Sequence, residues 1–277
     1  MKRTPVATLT LLAAGLGLGL PQLGAAPSGA TNASANASTS APAGKSKFLV
    51  DPVGTNSPST NAPAMVDADA ASAELSKNAD DLIAKGNYPE AILALEKAVK
   101  LTPDNEELHF NLAFALNRVG RIRESIAEYR ETIRVLPEYA EAHNNLGNLL
   151  MKTGDLGEAV KQFELAIKHQ PENSNAHNNL GTALARLGKL SDAVVHFQDA
   201  IRLRPDYAEA WMNVGTARLG QNRYQEAAEA LDNALRLNPR LEPARKAMVR
   251  LRERVAAAAA AAQSAPAPTG GAGSTSK

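Results

Sequence analysis

Cysteine is absent from all 277 residues, which excludes disulfide stapling, thiol catalysis, thiolate metal sites and lipid attachment through a cysteine. Stability must come from packing alone. Aromatic residues are scarce at 4%, and all but Phe48 fall within residues 72–263. Charge of one sign is also missing as an excess. The whole chain sets 30 Lys plus Arg against 29 Asp plus Glu, and the 72–263 block sets 25 against 26. So balanced a charge gives no field to attract a phosphate backbone, so nucleic acid is not an expected partner. Only the final helix leans basic, through Arg245, Lys246, Arg250, Arg252 and Arg254, which reads as a solvated face. The N-terminal apolar run, residues 6–20, carries Gly15, Gly17 and Gly19 and stops at Pro21, whereas a spanning helix wants about 20 uninterrupted apolar residues.

Lys2 and Arg3 precede that run and small residues follow it to Ala30, the order of parts in an export signal. The expectation is a signal peptide over 1–30, a periplasmic or secreted location, and no stable membrane span after cleavage. Residues 31–71 and 264–277 are built almost wholly from Ala, Ser, Thr, Asn, Gly and Pro. Neither stretch can bury a core, so a disordered linker and tail are expected. One apolar island, KFLVDPV at 47–53, has the composition of a docking motif for the chain's own groove; a chance cluster explains it equally well.

Between these tails the sequence repeats. Pro103, Pro137, Pro171, Pro205 and Pro239 stand 34 residues apart without insertion or deletion. With repeats framed at 72–105, 106–139, 140–173, 174–207 and 208–241, the residue 14 positions on reads Gly86, Gly120, Gly154, Gly188 and Asn222. Gly, or failing that Asn, closes a helix in the left-handed conformation, so each repeat is cut into a first helix, a turn, and a second helix ended by its proline. Small residues recur in the first helix (Ala79, Ala113, Gly147, Gly181, Gly215) and in the second (Ala91, Ser125, Ala159, Ala193, Ala227), where they let the helices approach closely, and larger residues such as Leu95, Tyr129, Phe163, Phe197 and Leu231 fill the space between. One such unit cannot bury its stripe alone, but stacked neighbours can, with residues 242–263 as a capping helix.

The segment AHNNLGNLLMKTGDLGEAVKQFELAIKHQPEN, beginning at Ala142, resembles a tetratricopeptide repeat in its Leu-Gly pair, turn Gly, Ala, Phe, Ala and Pro. All five repeats match, with His109, His143 and His177 where that family often has Trp, present here as Trp211. The resemblance implies an all-α, right-handed α-α superhelix of five repeats. It also implies a protein or peptide partner bound in the concave surface lined by the first helices.

Asn111, Asn145, Asn179 and Asn213 recur mid-helix, once per repeat from the second to the fifth, with Lys77 in the first. Asn costs about 0.6 kcal/mol relative to Ala at such a site, and an amide can pair with the N–H and C=O of an extended peptide whatever its side chains. The column is similar to the asparagine ladder in the superhelix of the O-linked N-acetylglucosamine transferases, which holds a substrate chain. The other reading is that the amides pair with each other along the stack, or are relics of duplication. On the same face lie Phe114 and Arg118, Asn148 and Lys152, Thr182 and Arg186, and Thr216. Phe110 and Phe114 are candidate apolar anchors. Arg118, Lys152 and Arg186 either favour an acidic ligand or serve as helix C-terminal dipole partners. The carboxylate clamp of chaperone-binding relatives needs Lys and Asn where Ser76 and Asp80 stand, so an acidic C-terminus is not the expected ligand.

No catalytic set emerges. Histidines spaced one per repeat cannot converge on one ion, because packed helices lie about 8–10 Å apart while zinc ligands reach about 2.1 Å; they read as core histidines, and no metal site or cofactor is expected. GTALARLGK from Gly181 has six residues between its glycines where a phosphate loop needs four. The function expected is therefore a non-enzymatic scaffold for a peptide or protein. A substrate-presenting subunit of a separate enzyme and a self-associating spacer remain as alternatives.

Overall fold

The computed structural model describes residues 67–264, which fall within one compact unit. The signal at 1–30, the 47–53 motif and nearly all of the expected linker and tail lie outside the described residues. Within them are eleven α-helices and no strand: α1 (Ala68–Ala84), α2 (Tyr88–Leu101), α3 (Glu106–Arg118), α4 (Ile122–Val135), α5 (Ala140–Thr153), α6 (Leu156–His169), α7 (Ser174–Arg186), α8 (Leu190–Leu203), α9 (Ala208–Gly220), α10 (Tyr224–Leu237) and α11 (Glu242–Ser264). Each odd helix packs on the even one that follows, and each even helix on the next odd one. The expected all-helical solenoid is the observed class. One boundary differs: α1 begins at Ala68, four residues ahead of the repeat frame, because the Asp67 carboxylate accepts from the amides of Asp69 and Ala70 and nucleates an extra turn.

The turn residues behave as their chemistry requires. Gly86, Gly120, Gly154 and Gly188 have φ between 75° and 94°, and Asn222, the one non-glycine with positive φ among the described residues, has φ 60°. At the other end of each repeat the proline's carbonyl collects an N–H from six residues on. Nε2 of His109, His143 and His177 lies 2.9, 2.8 and 3.1 Å from the oxygens of Pro103, Pro137 and Pro171. Trp211 Nε1 and Arg245 Nε donate the same bond to Pro205 and Pro239. Histidine therefore replaces the family's Trp without losing the bond that ties each first helix to the preceding corner.

The small-residue columns are a matter of clearance. A Cβ on Gly147 would lie 2.7 Å from the Phe163 ring, one on Gly181 2.6 Å from Phe197, and one on Gly215 2.6 Å from Leu231. Those three large side chains are at most 2% exposed. In the second repeat Ser125 Oγ also donates to the Ala113 carbonyl at 2.6 Å, a bond that only closely packed helices can make. The C-terminal helix buries Ala244, Ala247 and Leu251 against α9 and α10. Its five basic residues are exposed, as expected for a capping helix. Among the described residues no helix is long and apolar enough to cross a membrane.

Candidate functional site

First helices crowd along one side of the stack: α5 touches α7, and α7 touches α9. The polar stripe runs along that side. Asn111, Asn145, Asn179 and Asn213 are all half-buried, as are Phe110, Phe114, Asn148 and Thr182, while Arg118, Lys152, Arg186 and Thr216 are exposed. The opposite face of the same helices (His109, Leu112, Ala113 and Leu116 in α3) is buried.

The asparagines are not idle between ligands. Asn179 Nδ2 donates to Asn144 Oδ1 at 3.0 Å, and Asn213 Nδ2 donates to Asn178 Oδ1 at 2.9 Å, each reaching back 35 positions into the preceding repeat. The two other asparagines face no Asn at that position: Asn111 would meet Ser76 and donates instead to Asp80 Oδ1 at 3.3 Å, and Asn145 would meet Phe110, whose ring offers no amide acceptor. Asn179 and Asn213 thus pair along the stack, the other reading of the column, and Asn111 likewise spends one hydrogen bond on the preceding repeat. That use leaves an amide hydrogen and the carbonyl oxygen of Asn179 and Asn213 for a ligand.

The accessory residues divide. Phe110 stacks on Tyr139, the N-cap residue of α5, with centroids 4.9 Å apart and meets Tyr129 on α4 edge-on at 5.6 Å, so its ring packs among aromatics of its own repeat. Phe114 sits edge-on to Tyr88, and the Arg118 guanidinium lies 5.1 Å from the same ring. Arg186 Nη1 donates to the Met151 carbonyl at 2.7 Å, at the C-terminal end of α5 in the preceding repeat. Thr182 bonds back to the Asn178 carbonyl. Asn148, Lys152 and Thr216 make no side-chain hydrogen bond among the described residues. At the N-terminal end burial, seconded by the neighbouring Asp81, pushes the Asp80 carboxyl above its usual value.

Two features escaped the sequence reading. The partners Asn144 and Asn178 were readable as adjacent Asn-Asn pairs, 144–145 and 178–179, whose spacing places one amide beside the next repeat's. The histidines also have partners 19 residues on, in the second helix: His109 Nδ1 lies 2.7 Å from Glu128 Oε2, and His143 Nδ1 lies 2.7 Å from Gln162 Oε1. Counting one histidine per repeat therefore missed that His177 meets His196 and Asp199 inside its own repeat.

Three family models match the chain: a TPR repeat model at 79–120 and 116–154, and two tetratricopeptide repeat models at 138–206 and 178–242. Together they span more than half of the residues. A comparison with curated protein sequences returns no significant match. Among solved structures, PilF of Pseudomonas aeruginosa is similar with TM-score 0.60 and 21% identity, over 71% of this chain and 89% of its own. MamA of Desulfovibrio magneticus is similar with TM-score 0.59 and 18% identity, over 64% and 99%. YrrB, described as a TPR protein with an unusual peptide-binding site, has TM-score 0.57 and 21% identity, over 63% and 90%. Likeness at such identity speaks for the fold alone. The uninterrupted period, the left-handed turn residues, the helix pairs and the matching family models agree: this chain belongs to the tetratricopeptide-repeat family.

Proposed function

We propose that the chain is a non-catalytic scaffold that holds an extended peptide or protein segment along the first-helix face. The observation that carries this reading is the half-buried amide column, in which Asn179 and Asn213 keep a donor and an acceptor after making their inter-repeat bonds. Such groups suit the alternating N–H and C=O of an extended backbone. At about 0.5–1.5 kcal/mol net per hydrogen bond, four asparagines making one or two bonds each supply roughly 2–12 kcal/mol before ordering costs, which points to micromolar binding or weaker. YrrB, similar in fold and described as having a peptide-binding site, supports the same class of ligand. The sequence signal at 1–30 supports action outside the cytoplasm, and cell fractionation tests that part.

The test is affinity capture with the full chain and with a variant carrying Asn111, Asn145, Asn179 and Asn213 all changed to Ala, both checked for helix content by circular dichroism. The reading expects defined partners that the folded variant loses; the same partners on both chains would place binding elsewhere. Capture of a transferase rather than envelope or structural proteins would favour the substrate-presenting alternative.

A further inference from the structure

One cluster of chemistry-bearing side chains stands apart from the amide column. His177 on α7 and His196 and Asp199 on α8 each bring a ligand-capable atom within 4.8 Å of the other two. The His177 side chain is only 9% exposed, and its Nε2 faces the Pro171 carbonyl at 3.1 Å. A carbonyl can only accept, so Nε2 carries the hydrogen and Nδ1 presents a lone pair. Among the described residues that buried Nδ1 has no hydrogen-bond partner, and neither has the buried Nδ1 of His196. In the two preceding repeats the corresponding Nδ1 is occupied by Glu128 and Gln162. The fourth repeat replaces that partner with a second imidazole and adds Asp199 one turn further along α8. Arg202 fixes one oxygen of Asp199 at 3.0 Å, while the other faces His177 Nδ1 at 3.9 Å.

We propose that His177, His196 and Asp199 form a binding site for a divalent transition-metal ion of the zinc class. Two imidazole nitrogens and one carboxylate oxygen match the donors zinc takes at open sites, with a fourth position left for water or a ligand. Calcium and magnesium prefer oxygen throughout and fit this set poorly. The Pro171 carbonyl orients His177 through the nitrogen that does not bind the ion, the arrangement usual behind metal-bound histidines. Bonds of about 2.0–2.1 Å in tetrahedral geometry put ligand atoms roughly 3.4 Å apart. Rotation of the half-buried His196 and Asp199 side chains has to close the remaining gap. A bound ion would clamp α7 to α8 in the repeat that carries Asn179.

The experiment uses the full chain purified without a polyhistidine tag. Zinc chloride is titrated by calorimetry, cobalt(II) is followed by visible absorption, and thermal unfolding is recorded with and without zinc. The proposal expects one saturable equivalent, the d–d bands of tetrahedral cobalt, and a zinc-dependent rise in Tm. All three should vanish in His196→Ala and in the nearly isosteric Asp199→Asn, and persist in His169→Ala, which removes a histidine outside the cluster. No saturable binding, octahedral cobalt, or binding that survives both cluster substitutions overturns it. Should His196→Ala fail to fold, Asp199→Asn and the wild-type cobalt spectrum still decide.

Discussion

Gly181→Ala puts the packing argument under direct load. The new Cβ would stand 2.6 and 2.7 Å from two carbons of the Phe197 ring and 3.0 Å from the Ala193 carbonyl oxygen. Carbon contacts sit best at about 3.5–4.0 Å, so roughly 1 Å must be found between α7 and α8. Two effects oppose each other. Overpacking a filled core costs about 1–3 kcal/mol, while replacing a mid-helix Gly by Ala returns about 0.5–1 kcal/mol. The second repeat already sets Ala113 beside Tyr129, so the array tolerates such a pair once its helices are spaced for it, and the net loss should fall near 1 kcal/mol. A double-mutant cycle isolates the clash. With Phe197→Ala in place the ring is gone, and Gly181→Ala should become stabilising by up to about 1 kcal/mol, a coupling of about 1–3 kcal/mol. Urea unfolding followed by circular dichroism reads all four chains. If Gly181→Ala has the same effect in both backgrounds, within about 0.5 kcal/mol, the clearance argument is wrong.

The same substitution should change sign with backbone conformation: Gly154→Ala, at φ 94° with no steric neighbour, should cost about 1–2 kcal/mol, whereas Gly157→Ala, equally uncrowded inside α6, should gain about 0.5–1 kcal/mol, both read as shifts in urea midpoint. The Glu128 hydrogen bond, as the largest cause, raises the His109 pKa above 6.5 in the folded chain, so its contribution is fully present below the unfolded value and is lost as pH rises through the folded one. Glu128→Gln should therefore lower Tm more at about pH 5.5 than at about pH 8, and an equal loss at both would remove the charge from the account. His143→Phe removes the Nε2–H donor from the Pro137 carbonyl and the ring nitrogen that pairs with Gln162 and should cost about 1–3 kcal/mol, detectable by the same unfolding assay.

Much of this molecule is legible in its sequence because it is periodic. A proline every 34 residues and a Gly or Asn at a fixed offset leave one way to cut the chain, and local chemistry at each cut demands the conformation observed. The small column of Gly181 and the large column of Phe197 could be read the same way, since each repeats, although their meeting could not. What could not be read lay in pairings between columns. Asn179 with Asn144 and His177 with His196 depend on how far one helix is rotated against the next, which period alone does not specify. Phe110 illustrates the limit: it reads as a candidate apolar anchor, but its ring packs on Tyr129 and Tyr139 of its own repeat. The start of α1 was missed for a local reason, a single capping Asp67 inside a stretch whose composition otherwise favours disorder.

The claim that the asparagine column reads peptide backbone is tested most directly with a captured peptide remade in three forms: unmodified, with its side chains replaced by alanine, and with its backbone amides N-methylated. Affinities for the full chain would be measured by calorimetry. Backbone reading predicts that the alanine form binds comparably, that N-methylation abolishes binding, and that Asn145→Ala with Asn179→Ala weakens the first two forms alike. Binding that survives N-methylation but disappears with the side chains would contradict it and assign recognition to pockets rather than to the amide ladder.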